Sequence, residues 1–204
     1  MINLIKYFIQ KIKDPTGRFE KIKQQAYYIK KGWISIGEKT DITNLNIDIR
    51  DPKEGQLYIK IGSNCIIHGS IVIETKIGSV FIDDNTYIGP NTSLICASKI
   101  EIGKYVMFAW GCTVIDHNSH STSYIDRMKD MENLLKKENV NWDVVVKKDI
   151  RIHDNVWVGF NSIIMKGVEI CQGGIIAAGS VVTSKVETLN VYGGNPAKFI
   201  KKLP

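Results

Sequence analysis

The chain has 204 residues, 44% of them apolar, which is enough for one globular domain with a sizeable core, and no apolar run approaches the ~18 residues of a membrane span. Its net charge of +6 is local: residues 1–31 hold eight Lys and Arg against Asp14 and Glu20, which accounts for the whole excess. A nucleic-acid partner is set aside on that ground, because duplex binding needs cations spread over the folded body.

In chain order the first signal is helical. Ile2, Ile5, Phe8, Ile9 and Ile12 follow a helical stripe, Asp14-Pro15-Thr16-Gly17 breaks it, and Phe19, Ile22, Ala26 and Ile29 form a second stripe ending at Gly32. The start carries interleaved lysines and no small-residue cleavage site, so a secretory signal is not expected and a cytoplasmic protein is. Residues 1–32 are expected to form a short helical segment that closes one end of the domain behind it. The alternative is a basic amphipathic helix lying near an anionic membrane surface.

From Ile36 a different period takes over. Ile36 and Ile42, Ile61 and Ile67, then Ile82, Ile88 and Leu94, then Ile102, Phe108 and Val114 are spaced by six. The run Ile152, Val158, Ile164, Ile170, Ile176 and Val182 keeps the same step unbroken. Neither a helix nor a lone strand has a period of six, whereas a coil of three short strands, one hexad each, does. Each aliphatic then points inward and stacks on its equivalent one coil away. Small or β-branched residues four places later, among them Thr86, Thr92, Cys112, Ser162 and Ser180, leave room for the bends. Cys65, Cys96, Cys112 and Cys171 lack a CxxC pair, so buried free thiols are expected and a metal or redox site is not. Three phase slips, after Ile42, Ile67 and Leu94, imply corner insertions.

The repeat is abandoned at Asp116 and resumes at Ile150 or Ile152, an excursion of residues 116–149 that opens Asp116-His117-Asn118-Ser119-His120 and holds half of the histidines. A long excursion in a compact solenoid is more often functional than accidental. An imidazole is the natural proton acceptor near neutral pH, and Asp116 is placed to orient the ring of His117 or raise its basicity. The bland reading is that both histidines are solvated loop residues.

Over residues 33–203 the chain resembles the hexapeptide-repeat acyltransferases. Asn155-Val156-Trp157-Val158-Gly159 is similar to the family's N-V-W-I-G segment, Ala177-Ala178-Gly179-Ser180-Val181-Val182 to its G-A-G-S-V-V, and Gly194-Asn195-Pro196-Ala197-Lys198 to its closing G-N-P-A-K. Three such motifs in order, after an interrupted coil with histidines, resemble the sugar O-acetyltransferase branch of galactoside and maltose acetyltransferases. The resemblance implies an all-β, left-handed parallel β-helix over residues 33–187, a C-terminal tail over 188–204, and a homotrimer with active sites between subunits. It implies acetyl-CoA as co-substrate, near Ala109, Trp157, Gly159, Ala178, Thr183, Lys198 and Lys201, and no metal. The base is expected to be His117, with His120 the other candidate and Asp116 as its neighbour. The acceptor implied is a sugar, more plausibly a surface-polysaccharide precursor than a free galactoside, because Gly89 to Ala97 do not reproduce the galactoside enzymes' acceptor residues.

The family's known members carry one histidine followed by proline, whereas this chain has two histidines three apart and no proline. Lys198 and Lys201 also suit a solvated tail, and Trp157 plain packing. Other readings are N-acetylation of a nucleotide amino sugar, a carbonic-anhydrase-like metal site drawing on His117, His120 and either His68 or His153, and a non-catalytic solenoid.

Overall fold

The computed structural model describes residues 17–204, so the first helical stripe, Ile2 to Ile12, lies outside the described residues. Helix α1, Arg18–Lys30, ends where expected, with Gly32 in the left-handed region at φ 71 and its N–H on the Ile29 carbonyl. Its packing differs from the sequence expectation. The stripe Phe19, Ile22, Ala26 and Ile29 faces away from the domain, and Gln25 and Tyr28 are buried instead. The reason is that the end of a coil presents backbone carbonyls. The Gln25 amide donates to the carbonyls of Leu45 (2.9 Å) and Ile42 (3.3 Å), which an apolar side chain would leave without a partner.

Among the described residues eighteen strands build six coils with three flat parallel faces, and a nineteenth folds back at the end. Sheet I contains β1 (Ile34–Ile36), β3 (Ile59–Ile61), β6 (Ser79–Ile82), β9 (Lys99–Ile102), β12 (Ile150–Ile152) and β15 (Glu169–Ile170). Sheet II contains β4 (Ile66–Ile67), β7 (Tyr87–Ile88), β10 (Met107–Phe108), β13 (Trp157–Val158), β16 (Ile175–Ile176) and β18 (Asn190–Gly194). Sheet III contains β2 (Leu45–Ile49), β5 (Gly69–Ile73), β8 (Ser93–Cys96), β11 (Thr113–Ile115), β14 (Ile163–Met165) and β17 (Val181–Val182). This is the left-handed parallel β-helix expected from the hexads and the resemblance.

The register confirms the stacking. Ile36, Ile61, Ile82, Ile102, Ile152 and Ile170 form one continuous ladder along sheet I. Ile67, Ile88, Phe108, Val158 and Ile176 form another along sheet II. Of the sixteen hexad aliphatics, fourteen are buried, while Ile36 and Ile42, in the first coil, are only partly so. The buried hydroxyls at the small positions donate to corner carbonyls of the next coil, as Thr86 does to Gly103 (2.9 Å) and Thr92 to Ala109 (3.1 Å).

The phase slips have a local cause. On sheet III the first two rungs are Ile47 and Ile71, in register with Leu94, and neither falls on a six-residue step. The corner before Ile71 is cut short at Gly69, φ 109, where a Cβ would lie 2.1 Å from the Thr92 carbonyl oxygen, so no other residue fits. Gly159 is crowded in the same way: a Cβ would come within 2.6 Å of the Ala178 amide nitrogen. Gly159→Ala is therefore expected to wedge the last two coils apart and cost about 1–3 kcal/mol, read as a lower thermal midpoint.

Residues 188–204 are not a free tail. Strand β18 continues sheet II in parallel with β16, and β19 (Ala197–Lys202) returns antiparallel to it. The excursion of 116–149 is also more structured than a loop, holding helix α2 (Tyr124–Lys136) and a 3-10 turn at Trp142–Val144. Its stem is a short antiparallel ribbon in which Asn118 donates to Val146 (3.0 Å) and Lys148 to Asp116 (2.8 Å).

Candidate active site

Asp116 is the first residue past β11 and is completely buried. Its carboxylate accepts from the Ala97 amide (2.8 Å), the Ser98 amide (2.8 Å) and the Cys96 thiol (3.2 Å). Burial, with the Asp116 charge adding to it, pushes the Cys96 thiol strongly upward, so it is a neutral donor. The sequence expectation that Asp116 orients His117 is thereby corrected: its hydrogen bonds are spent on the corner of the coil below, and it acts on the ring through charge alone.

His117 is only 2% exposed, and its ring meets that of Trp142 edge-on at 5.1 Å. The Ser119 amide donates to Nδ1 at 2.9 Å, while Nε2 is buried without a partner. In the neutral ring that bond leaves the proton on Nε2. Burial holds the imidazole below its ordinary pKa, partly offset by Asp116 and Glu74, with Lys147 acting in the same direction as burial.

His120 stands differently. Its Nδ1 lies 2.8 Å from a carboxylate oxygen of Asp130, a buried residue on α2, and the imidazole itself is 44% exposed. This is the arrangement that fixes a base by its far nitrogen and leaves the other open. Asp130 was not singled out from the sequence, because its pairing depends on the fold of α2. Trp142 was missed for the same reason, although a tryptophan on the returning limb of the excursion was visible.

The insertions after β2 and β5 and the excursion after β11 all leave from the edge between sheets III and I. Together they wall a cavity of about 540 Å³ that includes Glu74, Thr75, Asn139, Trp142 and Lys147. Trp142 thus touches both His117 and the cavity. The Lys147 ammonium donates to the Trp142 carbonyl (2.8 Å) and so fixes the turn that carries the ring.

The residues expected along acetyl-CoA separate into groups. Ala109 and Gly159 are the first residues past β10 and β13, with the Ala109 amide on the Val158 carbonyl and the Gly159 amide on that of Ile176; the matching position past β16 is Ala177, and Ala178, one residue further, closes the column with its amide nitrogen against Gly159. Trp157, on the outer face of β13, is 53% exposed, so it is not core packing. Lys198 and Lys201 are exposed on β19 beyond the last coil. Thr183 is exposed just past β17, at the other end of that strand from Ala178. His117 also lies at the far edge of sheet III from the column, with the width of that sheet, Gly111 to Asp116, between them.

The imidazoles proposed for a shared metal are not brought together. His68 is beside Asp41 (3.8 Å) and His153 bonds Glu169 (2.8 Å), each at a different corner from His117. Among the described residues no group of three or more His, Cys, Asp or Glu is arranged to hold a metal ion.

Residues 149–184 match the bacterial transferase hexapeptide family, described as six repeats. Polysialic acid O-acetyltransferase of Escherichia coli O1:K1 is 34% identical over 146 residues, 71% of this chain and 43% of the relative. Galactoside O-acetyltransferase of Lactococcus lactis subsp. lactis is 28% identical over 148 residues, 72% of this chain and 65% of the relative. Among solved structures, the polySia-specific acetyltransferase NeuO matches with a TM-score of 0.61 and 28% identity, covering 83% of this chain and 81% of that one. The chain spans less than two thirds of the length of the first curated relatives it matches. With six coils, the hexad ladders and these matches, the chain belongs to the hexapeptide-repeat transferase family.

Proposed function

We propose that this chain is an acetyl-CoA-dependent O-acetyltransferase that acylates a sugar hydroxyl of a surface polysaccharide or its precursor, with His117 as general base. The observation that carries the reading is the buried Nε2 of His117, a polar nitrogen with no partner in the chain. An orphan of this kind is costly unless a ligand satisfies it. Acetyl-CoA supplies an activated acyl group. His117 takes the proton of the acceptor hydroxyl as its oxygen attacks the thioester carbonyl, and returns that proton to the departing thiolate. A backbone N–H stabilises the oxyanion. Release of Nδ1 by the Ser119 amide is required first, so that Nε2 is free to accept.

The separation of His117 from the Ala109–Gly159–Ala178 column supports a site shared between subunits, as in the trimer that the resemblance implies. Beside the column, Trp110 and Phe160 stack at 5.2 Å while both are exposed, a patch suited to burial by a second copy. Trp157 then walls the acyl end of the groove, and Lys198 and Lys201 meet the phosphates of CoA. Thr183 joins this set only if the adenine end turns toward sheet III. The cytoplasm, where acetyl-CoA is made, is the compartment this activity requires. The outward stripe of α1, flanked by Arg18, Lys23 and Lys30, supports a position near a membrane-borne acceptor. Among the described residues no helix is long and apolar enough to cross one.

A second reading of the base is favoured by the Asp130 pairing, which already presents His120 in the tautomer that leaves Nε2 open. A second reading of the acceptor, an amine on a nucleotide sugar, is favoured by Glu138 and Asp143, cavity carboxylates with no cation partner among the described residues. The first test is thermal stabilisation by acetyl-CoA. At a hundredfold excess over Kd, a shift of about 5–10 °C is expected. No shift at millimolar acetyl-CoA leaves the non-catalytic solenoid as the better account.

A further inference from the structure

We infer that the 540 Å³ cavity beside His117 is the acceptor subsite and that it selects a hydroxyl-rich sugar carrying no net negative charge. The inference rests on the proposed transferase activity and names the substrate class of that same site. Its volume lies in the range of small-ligand sites and accommodates one or two pyranose rings. Trp142 supplies a half-buried aromatic surface of the kind sugar C–H faces pack on, and the same ring touches His117, so a sugar resting there is one side chain from the base. Asn139 and Asn141 add amides at the rim.

The charge of the lining decides the class. Its cations are Arg50, Lys76 and Lys147, against the carboxylates of Asp51, Glu74, Glu138 and Asp143. Arg50 is paired with Asp48 and Glu74 and Lys76 with Asp51 at 3.3 Å, while Lys147 gives one N–H to the Trp142 carbonyl at 2.8 Å and keeps its charge unpaired. Glu138 and Asp143 remain without a cation among the described residues. A carboxylated sugar would therefore meet two unpaired carboxylates against the one unpaired ammonium of Lys147, a lining that is negative on balance. Polysialic acid, the polyanion in the name of the E. coli relative, is excluded on this reading, and a neutral sugar is admitted.

Ligand-observed NMR titration of the full chain with CoA present, using maltose as a neutral probe, glucosamine as a cationic one and sialic acid oligomers as anionic ones, tests this. Saturable maltose binding is expected, weakened about 5–10-fold in Trp142→Ala. Sialic acid oligomers are expected to bind only after Glu138→Lys with Asp143→Lys, both exposed positions whose exchange leaves the coils intact. The inference is overturned if the oligomers bind the unaltered protein as tightly as maltose, if no neutral sugar binds saturably, or if only glucosamine does. It is equally overturned if Trp142→Ala, folded by its thermal midpoint, binds maltose unchanged; should that variant unfold, Asn141→Ala takes its place with the same expected direction. The acetyl-CoA thermal shift is read in parallel, so loss of sugar binding with that shift intact sinks the subsite alone.

Discussion

Replacing His117 by alanine is expected to lower acetyl transfer about 10²–10⁴-fold while the thermal shift produced by acetyl-CoA stays within a degree or two of the unaltered protein's. The split follows from geometry: the ring touches Trp142 and the stem of the excursion, across sheet III from the column that would hold CoA. Thiol release measured on an accepted sugar, beside a melting curve, gives both numbers. The pH profile adds a signature that a structural histidine would lack. Because burial lowers the His117 pKa, the acid limb of kcat/KM is expected below the ordinary imidazole value of ~6.5. The sign carries to stability as well: the unfolded chain binds the proton more readily, so this contribution is complete above ~6.5 and is lost as pH falls toward the lower folded value. Near-normal transfer by His117→Ala, with collapse in both His120→Ala and Asp130→Asn, would move the base to His120.

The hexad aliphatics made the prism legible from the sequence because each inward position has one neighbour above and one below, so a single period specifies the whole core. The exceptions are physical too. Ile71 is invisible to the period because Gly69 shortens the corner before it, and Ile47, five residues after Ile42, because its own corner is one residue short. The α1 stripe is apolar and by itself points to the face that closes the coil end, yet that end takes the Gln25 amide. The excursion's histidines stood out as an interruption of pattern, but their partners did not. Trp142 and Asp130 lie 25 and 10 residues from the imidazoles they touch, through a helix and a turn that no repeat dictates. The adjacency of Asp116 and His117 in sequence was misleading for a related reason: neighbours on an extended strand point to opposite sides.

Asp116→Ala is expected to be the most damaging single truncation in the site, costing about 3–5 kcal/mol and lowering the thermal midpoint by about 6–20 °C. Along the prism a corner amide is satisfied by a carbonyl of the next coil, as Gly62 is by Ile82. At Ala97 and Ser98 the chain that should provide those acceptors departs into the excursion instead, and the Asp116 side chain takes their place with two charge-assisted bonds of 2.8 Å. Removing the carboxylate leaves both donors without an acceptor beside the neutral Cys96 thiol. Asp116→Asn, which retains one acceptor oxygen but turns an N–H₂ toward a second donor, should lose roughly half as much. Calorimetry of the two variants, with a pH–rate profile on whichever remains folded, separates this role from the one adjacency suggests. If the carboxylate served the imidazole, the asparagine variant would melt normally and displace the acid limb. If it serves the corner, the melting point falls first, and the stem that positions His117 loosens with it.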